Sequence, residues 1–295
     1  MNIMIPSFNQ AGEKRATSRD TRRGVVFTIG ILLVASASAQ TVISGEGVIE
    51  SKSGGFKFPD GTVQTTAAAE AGDPCATAGD PSDEMIPVGG VCIDKYEASV
   101  WSQPDGGIQY GVATDDYPCA DDGQDCFGLI YARSVPGVQP SAFITWFQAQ
   151  QALANAGKRL PSNAEWQMAV AGTPDTGGVD DGGTTCNTDD LEPGVASTGS
   201  RSGCVSAFGH HDMVGNLAEW VADWVPLSTA CPGWFSSFSD DLMCLSGAST
   251  DIVGPGALVR GGDWDYAWEA GPFAVSGTVQ PSEGTAESIG FRGAR

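Results

Sequence analysis

At 295 residues, 41% of them hydrophobic and eight of them tryptophan, the chain has enough apolar mass for one large or two ordinary domains, and it is neither disordered nor fibrous. Its 36 acidic residues against 15 basic ones give a formal net charge of −21. That balance argues against nucleic acid and anionic membrane surfaces as partners, and it suits solubility and cation binding.

Lys14, Arg15, Arg19, Arg22 and Arg23 precede a short apolar run from Val25 to Val34, and Ala37-Ser38-Ala39 supplies an A-x-A cleavage signal. Residues 1–39 therefore read as a signal peptide, with maturation before Gln40 and export to the periplasm or extracellular space. The competing reading is a membrane anchor. A span needs about 20 apolar residues, more than this run offers, so no membrane span is expected after leader cleavage. Residues 40–82 are poor in aromatics and rich in Gly, Ser, Thr and Ala, which reads as a spacer. Pro59-Asp60-Gly61 marks a turn within it between short β-prone pieces, enough for one hairpin.

From about residue 83 the composition becomes that of a compact domain. Val88 to Trp101 alternates enough for one or two strands, with Tyr96 and Trp101 packed and Lys95 and Glu97 facing out. The spacing predicts a helix over Ala142 to Ala156, ended by Gly157, and a second one opening on the capping box Ser162/Glu165 and ending near Gly172. Two adjacent helices followed by some 120 Gly-rich residues with short strand patterns exclude βαβ alternation and indicate an irregular α+β domain. The Asp doublets at 115–116, 121–122, 180–181, 189–190 and 240–241 lie in polar loop sequence and read mostly as solvated.

All eight cysteines follow the leader, and an even count in an exported chain reads as disulfides. Eight cysteines allow 105 pairings. Sequential pairing is expected, 75 with 92, 119 with 126, 186 with 204 and 231 with 244, each stapling one long loop. Zinc is the alternative, disfavoured because no CxxC occurs and the two histidines, His210 and His211, are adjacent.

The stretch Asp212 to Trp224, DMVGNLAEWVADW, joins a Gly215-Asn216 turn to an alternating run in which Trp220 and Trp224 share a face. Asp212, the carbonyls near Gly215 and Leu217, and Glu219 are hard oxygens able to converge on calcium from one tight loop. Turn capping plus a solvated carboxylate is the plainer alternative. Toward the C-terminus, Leu258 to Trp268 and Ile289 to Arg295 both read as strands.

Four ordered blocks, KRLPSNAEWQMA (158–169), DMVGNLAEWVADW (212–224), VRGGDW (259–264) and GFRGAR (290–295), together resemble the formylglycine-generating enzyme, or sulfatase-modifying factor, family over about residues 83–295. The resemblance implies a loop-rich, C-type-lectin-like α+β fold and, in active members, oxidation of a protein cysteine to formylglycine by two copper-binding cysteines. Laid on this chain, the family pattern puts Tyr266 and Gly271 at those two cysteine positions, Asp263 where a serine is usual, and Gly293 where the last block often has cysteine. Copper is therefore not expected, since copper(I) wants thiolate ligands. An iron triad is no better served by two adjacent histidines. The resemblance also implies calcium at the 212–219 block and a second site at Asn187, for which Asp189 or Asp190 is the candidate partner. Arg260, Asp263, Trp264, Trp268 and Arg292 are the candidate ligand cleft, the two arginines reading first as buried ion-pair partners. The expected function is a calcium-stabilised binding or structural module for an unidentified protein, peptide or glycan. The alternatives are an active oxidase on a protein cysteine and a calcium-dependent glycan-binding adhesin.

Overall fold

The computed structural model describes the strand segments 41–43, 49–51, 56–57 and 63–64, and residues 74–295 apart from 78, 190–193, 236–237, 251–253 and 285. The expected signal peptide and Asp190 lie outside the described residues. The chain divides into two compact units, residues 1–69 and 70–295.

In the first unit, β1 (Thr41–Ile43) pairs antiparallel with β2 (Ile49–Ser51), and β3 (Phe56–Lys57) with β4 (Val63–Gln64). The turn expected at Pro59-Asp60-Gly61 lies outside the described residues.

The second unit opens with a hairpin of β5 (Met85–Val88) and β6 (Val91–Asp94), turned by Gly89 and Gly90, both at positive φ. A three-stranded antiparallel sheet follows, β7 (Ser99–Gln103) lying between β8 (Gly106–Tyr110) and β9 (Tyr131–Arg133). Helix α1 spans Trp146–Asn155, four residues later than periodicity alone places its start. Thr145 and Gln148 form a capping box there, which fixes the first turn. Helix α2 (Asn163–Ala169) starts on the expected Ser162/Glu165 box. Its Trp166 is fully buried.

The central sheet is formed by β10 (Ala218–Pro226), β11 (Met243–Cys244), β12 (Pro255–Arg260), β13 (Val275–Val279) and β14 (Ile289–Phe291), in the order β11-β13-β12-β10-β14. It is mixed: β10/β12 and β12/β13 are antiparallel, whereas the outer pairs β10/β14 and β11/β13 are parallel. One apolar cluster joins α1 to Trp220, Val259 and Phe291, and another joins α2 to Val221, Leu258 and Val275, so the two helices cover different parts of the same sheet. All four sequential disulfides form: Cys75–Cys92, Cys119–Cys126, Cys186–Cys204 and Cys231–Cys244. The result is the expected loop-rich, disulfide-stapled α+β architecture.

Three local expectations are corrected. Glu97 faces inward and is fully buried, because its carboxylate caps the 215–217 turn. Trp220 is buried but Trp224 is 44% exposed, since the β10/β12 register shifts between them. The strand expected over Leu258 to Trp268 ends at Arg260: Gly261 and Gly262 take φ of 88° and 74°, and a 3₁₀ turn at Ala267–Glu269 follows.

Candidate functional site

The 212–219 loop is built around backbone that favours Gly and Asn: Gly215 has φ 73° and Asn216 φ 61°. The Leu217 N–H donates to Glu97 Oε1 (2.9 Å), and Asn216 Nδ2 donates to Glu97 Oε2. Asn216 Oδ1 in turn accepts from Asn187 Nδ2 (3.0 Å) and the Ala196 N–H (2.8 Å), tying the loop before β10 to the 187–196 segment.

The side chains expected to converge on a cation divide among other partners. Glu219 receives Arg292 through Nε (2.9 and 2.7 Å) and Nη2 (2.5 Å), and Trp166 Nε1 at 2.7 Å. Its two oxygens are thus engaged by a buried guanidinium and an indole. Asp212 accepts the Gly199 N–H at 2.7 Å. Asn187 directs its Oδ1 at Arg201 Nη2 (3.1 Å), and Arg201 pairs with Asp180. Gly215 packs against the Asn187 carbonyl, which a Cβ there would meet at 2.2 Å.

Glu97, Asp212 and Glu219, all buried, therefore surround the buried Arg292. Burial, reinforced by Asp212 and Glu219, pushes Glu97 well above the usual carboxylate range, and burial raises Asp212 to about 6 against the pull of the Gly199 N–H and Arg292. Arg292 also donates to the carbonyls of Asp94 (3.1 Å) and His211 (3.0 Å). It is the buried ion-pair partner expected of it.

The candidate cleft splits in the same way. Arg260 lies over the Trp166 ring at 4.6 Å and donates to the Ala274 carbonyl (2.5 Å) and to Gln167 Oε1, so it clamps the 272–274 backbone to α2. Burial depresses it to about 10. Asp263 is buried and accepts the Asp265 N–H (3.0 Å) in a local turn. Trp264 is half-buried, and of the five only Trp268 is exposed. Two concavities of about 300 and 320 Å³ lie elsewhere, by Cys75–Lys95 and by Gly182–Arg201.

The family cysteine positions are closed in a specific way. Tyr266 is half-buried, and burial, then Asp263, raises its hydroxyl to about 12. Gly271 is buried, and a Cβ on it would meet the carboxyl of Asp241 at 2.3–2.4 Å. At Gly293 a Cβ would meet Asp94 Oδ2 (2.7 Å), Leu153 Cδ2 (2.7 Å) and Lys158 Cδ (2.9 Å). Each cysteine-to-glycine departure thus leaves an aspartate in the room that a side chain would need. Asp241, read from sequence as solvated, is 2% exposed. No local pattern distinguishes it from its neighbour Asp240, because a doublet in a loop says nothing about which member turns inward. His210 packs beside Ser206, and His211 stacks on Tyr96 at 5.0 Å.

A mixed five-stranded sheet with two capped helices, four disulfides and a turn-centred carboxylate–arginine core defines an irregular, loop-rich α+β domain. The family described as "Sulfatase-modifying factor enzyme 1-like domain" matches residues 27–295, and the chain belongs to it. The hercynine oxygenase of Mycolicibacterium smegmatis is 26% identical over 184 residues, 58% of this chain and 41% of that protein. The serine/threonine-protein kinase Pkn1 of Chlamydia trachomatis serovar L2 is 35% identical over 91 residues, 29% of this chain and 14% of that protein. The chain spans less than half the length of these relatives. Among solved structures, the I1 variant of Major Tropism Determinant aligns at TM-score 0.46 and 22% identity, covering 87% of this chain and 71% of that one.

Proposed function

We propose that this chain is a non-oxidising member of its family: an exported binding or structural module rather than a formylglycine-generating oxidase. The observation that carries the reading is at Gly271, where the Asp241 carboxyl fills the room a cysteine side chain would require. The remaining thiol inventory supports it, because all eight cysteines are in disulfides and none is free. A nucleophilic or copper-binding cysteine must be a thiolate, which a disulfide sulfur is not. The four disulfides also support export, since such bonds persist in oxidising compartments. Arg260 acts as an internal clamp on the 272–274 backbone, and exposed Trp268 offers an aromatic surface for a ligand.

The test is to incubate the disulfide-intact protein with copper, oxygen and a cysteine-containing sulfatase-type peptide, then analyse the peptide by mass spectrometry. No aldehyde should form under conditions in which an active family oxidase converts the same peptide. Aldehyde formation that depends on this chain overturns the proposal.

A further inference from the structure

Asp175 lies in the loop after α2 that the Cys186–Cys204 bridge staples, and Asp240 and Asp241 lie in the loop closed by Cys231–Cys244. One carboxylate oxygen from each comes within 4.8 Å of the others. Among the described residues no lysine or arginine forms an ion pair with any of the three. Arg260, the nearby cation, is engaged instead with Gln167 and the carbonyls of residues 272–274.

A second observation separates this cluster from ordinary surface acidity. Asp241 is 2% exposed and turns one oxygen, Oδ2, to the Phe273 N–H at 2.6 Å, while Oδ1 is buried with no hydrogen-bond partner. A buried carboxylate with one oxygen lacking a donor, and with two further carboxylates close by, carries an unmet demand for positive charge. Asp175 and Asp240, the other two members of the group, are both exposed.

We infer that Asp175, Asp240 and Asp241 hold a hard divalent cation, calcium, at the meeting point of these two loops with the segment around Gly271. The donors are all oxygen, which excludes a preference for soft metals, and three carboxylates from irregular loops with water completing the shell match calcium's tolerance of variable geometry better than magnesium's octahedron. The other acid-rich group, Cys119, Asp125 and Cys126, has both its sulfurs in one disulfide and offers no such set.

The ion has something to organise. The Leu242 N–H donates to the Glu269 carbonyl at 2.9 Å, and Gly178 sits so close to the next segment that a Cβ on it would meet the Trp268 nitrogen at 2.5 Å. The same loops therefore frame exposed Trp268, and the cation sets the order of that rim. This inference is independent of the loss of oxidase chemistry, so failure of either leaves the other standing.

The experiment uses the full mature chain, stripped with EDTA and dialysed, with calcium chloride as the probe. Thermal unfolding and isothermal titration calorimetry are followed in parallel on wild type and on the Asp175→Asn/Asp240→Asn double variant. Calcium should raise the melting temperature of the wild type with one-to-one binding heat, and magnesium should do so less. The double variant should bind calcium at least about tenfold more weakly, because affinity follows the number of charged ligands. Its calcium-free melting temperature should be equal or higher, since repulsion between like charges is relieved. A wild type with no response to millimolar calcium, or a response unchanged in the double variant, overturns the inference. Should the double variant fail to fold, the single Asp175→Asn substitution on its exposed loop gives the same readout.

Discussion

At the scale of single residues, Gly271 and the carboxylates around Arg292 are each held by a specific neighbour. Gly271 is buried under Asp241, so even one methyl group there must displace a carboxyl held by the Phe273 N–H. Gly271→Ala should cost about 1–3 kcal/mol in chemical denaturation, the usual range for overpacking. Adding Asp241→Ala should recover much of that loss, because the clash partner is gone. The core around Arg292 makes a different prediction. Asp212 titrates near 6 in the folded protein against an ordinary 3.8, chiefly because of burial, so the native state holds its proton more tightly. Its contribution to stability is complete below pH 4 and disappears as the pH rises through 6. Between pH 4 and 7.5 the wild type should therefore lose on the order of 2–3 kcal/mol relative to Asp212→Asn, measured by urea unfolding at both pH values. The comparison is made between variants because His210, held down at about 3 by burial with the charges of Arg292 and His211, gains stability with rising pH over part of the same range.

At the scale of elements, short helices survive on their caps and loops on their staples. Helix α2 has only seven residues, too few to stand by propensity, and it is held by the Ser162/Glu165 box, the Arg159–Glu165 pair and the burial of Trp166. The 172–204 loop has no helix or strand among its described residues. Its order comes from the Cys186–Cys204 bridge together with the Asn187–Asn216 and Arg201–Asp180 contacts. Removing that bridge with Cys186→Ser/Cys204→Ser should lower stability by about 3 kcal/mol for a loop of this length. Hydrogen exchange should show the loss of protection centred on residues 184–205 rather than on the central sheet. Partial reduction that loosens the whole sheet equally would contradict this picture.

At the scale of the whole molecule, the C-terminal segment is bound into the interior of the second unit. The last strand, β14, pairs in parallel with β10, and beyond it Arg292 enters the core, the Gly293 N–H reaches Asp94 Oδ2 at 2.7 Å, and Ala294 bridges to Ile93 and Arg159. Lys158 sits fully buried between Asp83 (2.6 Å) and Asp94 (2.7 Å). The β5/β6 hairpin, the link between the helices and the C-terminal segment are thereby joined through buried charges, where leaving one unpaired is costly.

The sequence by itself determined the α+β class, both helices, the family and the four disulfides, because these depend on local patterns: helical periodicity, a capping box spanning Ser162 to Glu165, ordered motifs, and cysteines that pair with their nearest neighbours along the chain. The first helix starts at Trp146 because Thr145 and Gln148 cap it, a signal that the sequence carries alongside the periodicity. Tertiary structure alone decided what the charged residues do. Glu97 looked solvent-facing and is a buried cap; Glu219 pairs with an arginine 73 positions away; Asp241, one of a loop doublet, stands where a side chain on Gly271 would otherwise be. A carboxylate's role is set by which charges and donors reach it through space, and in this chain those come from segments that no local window of sequence contains.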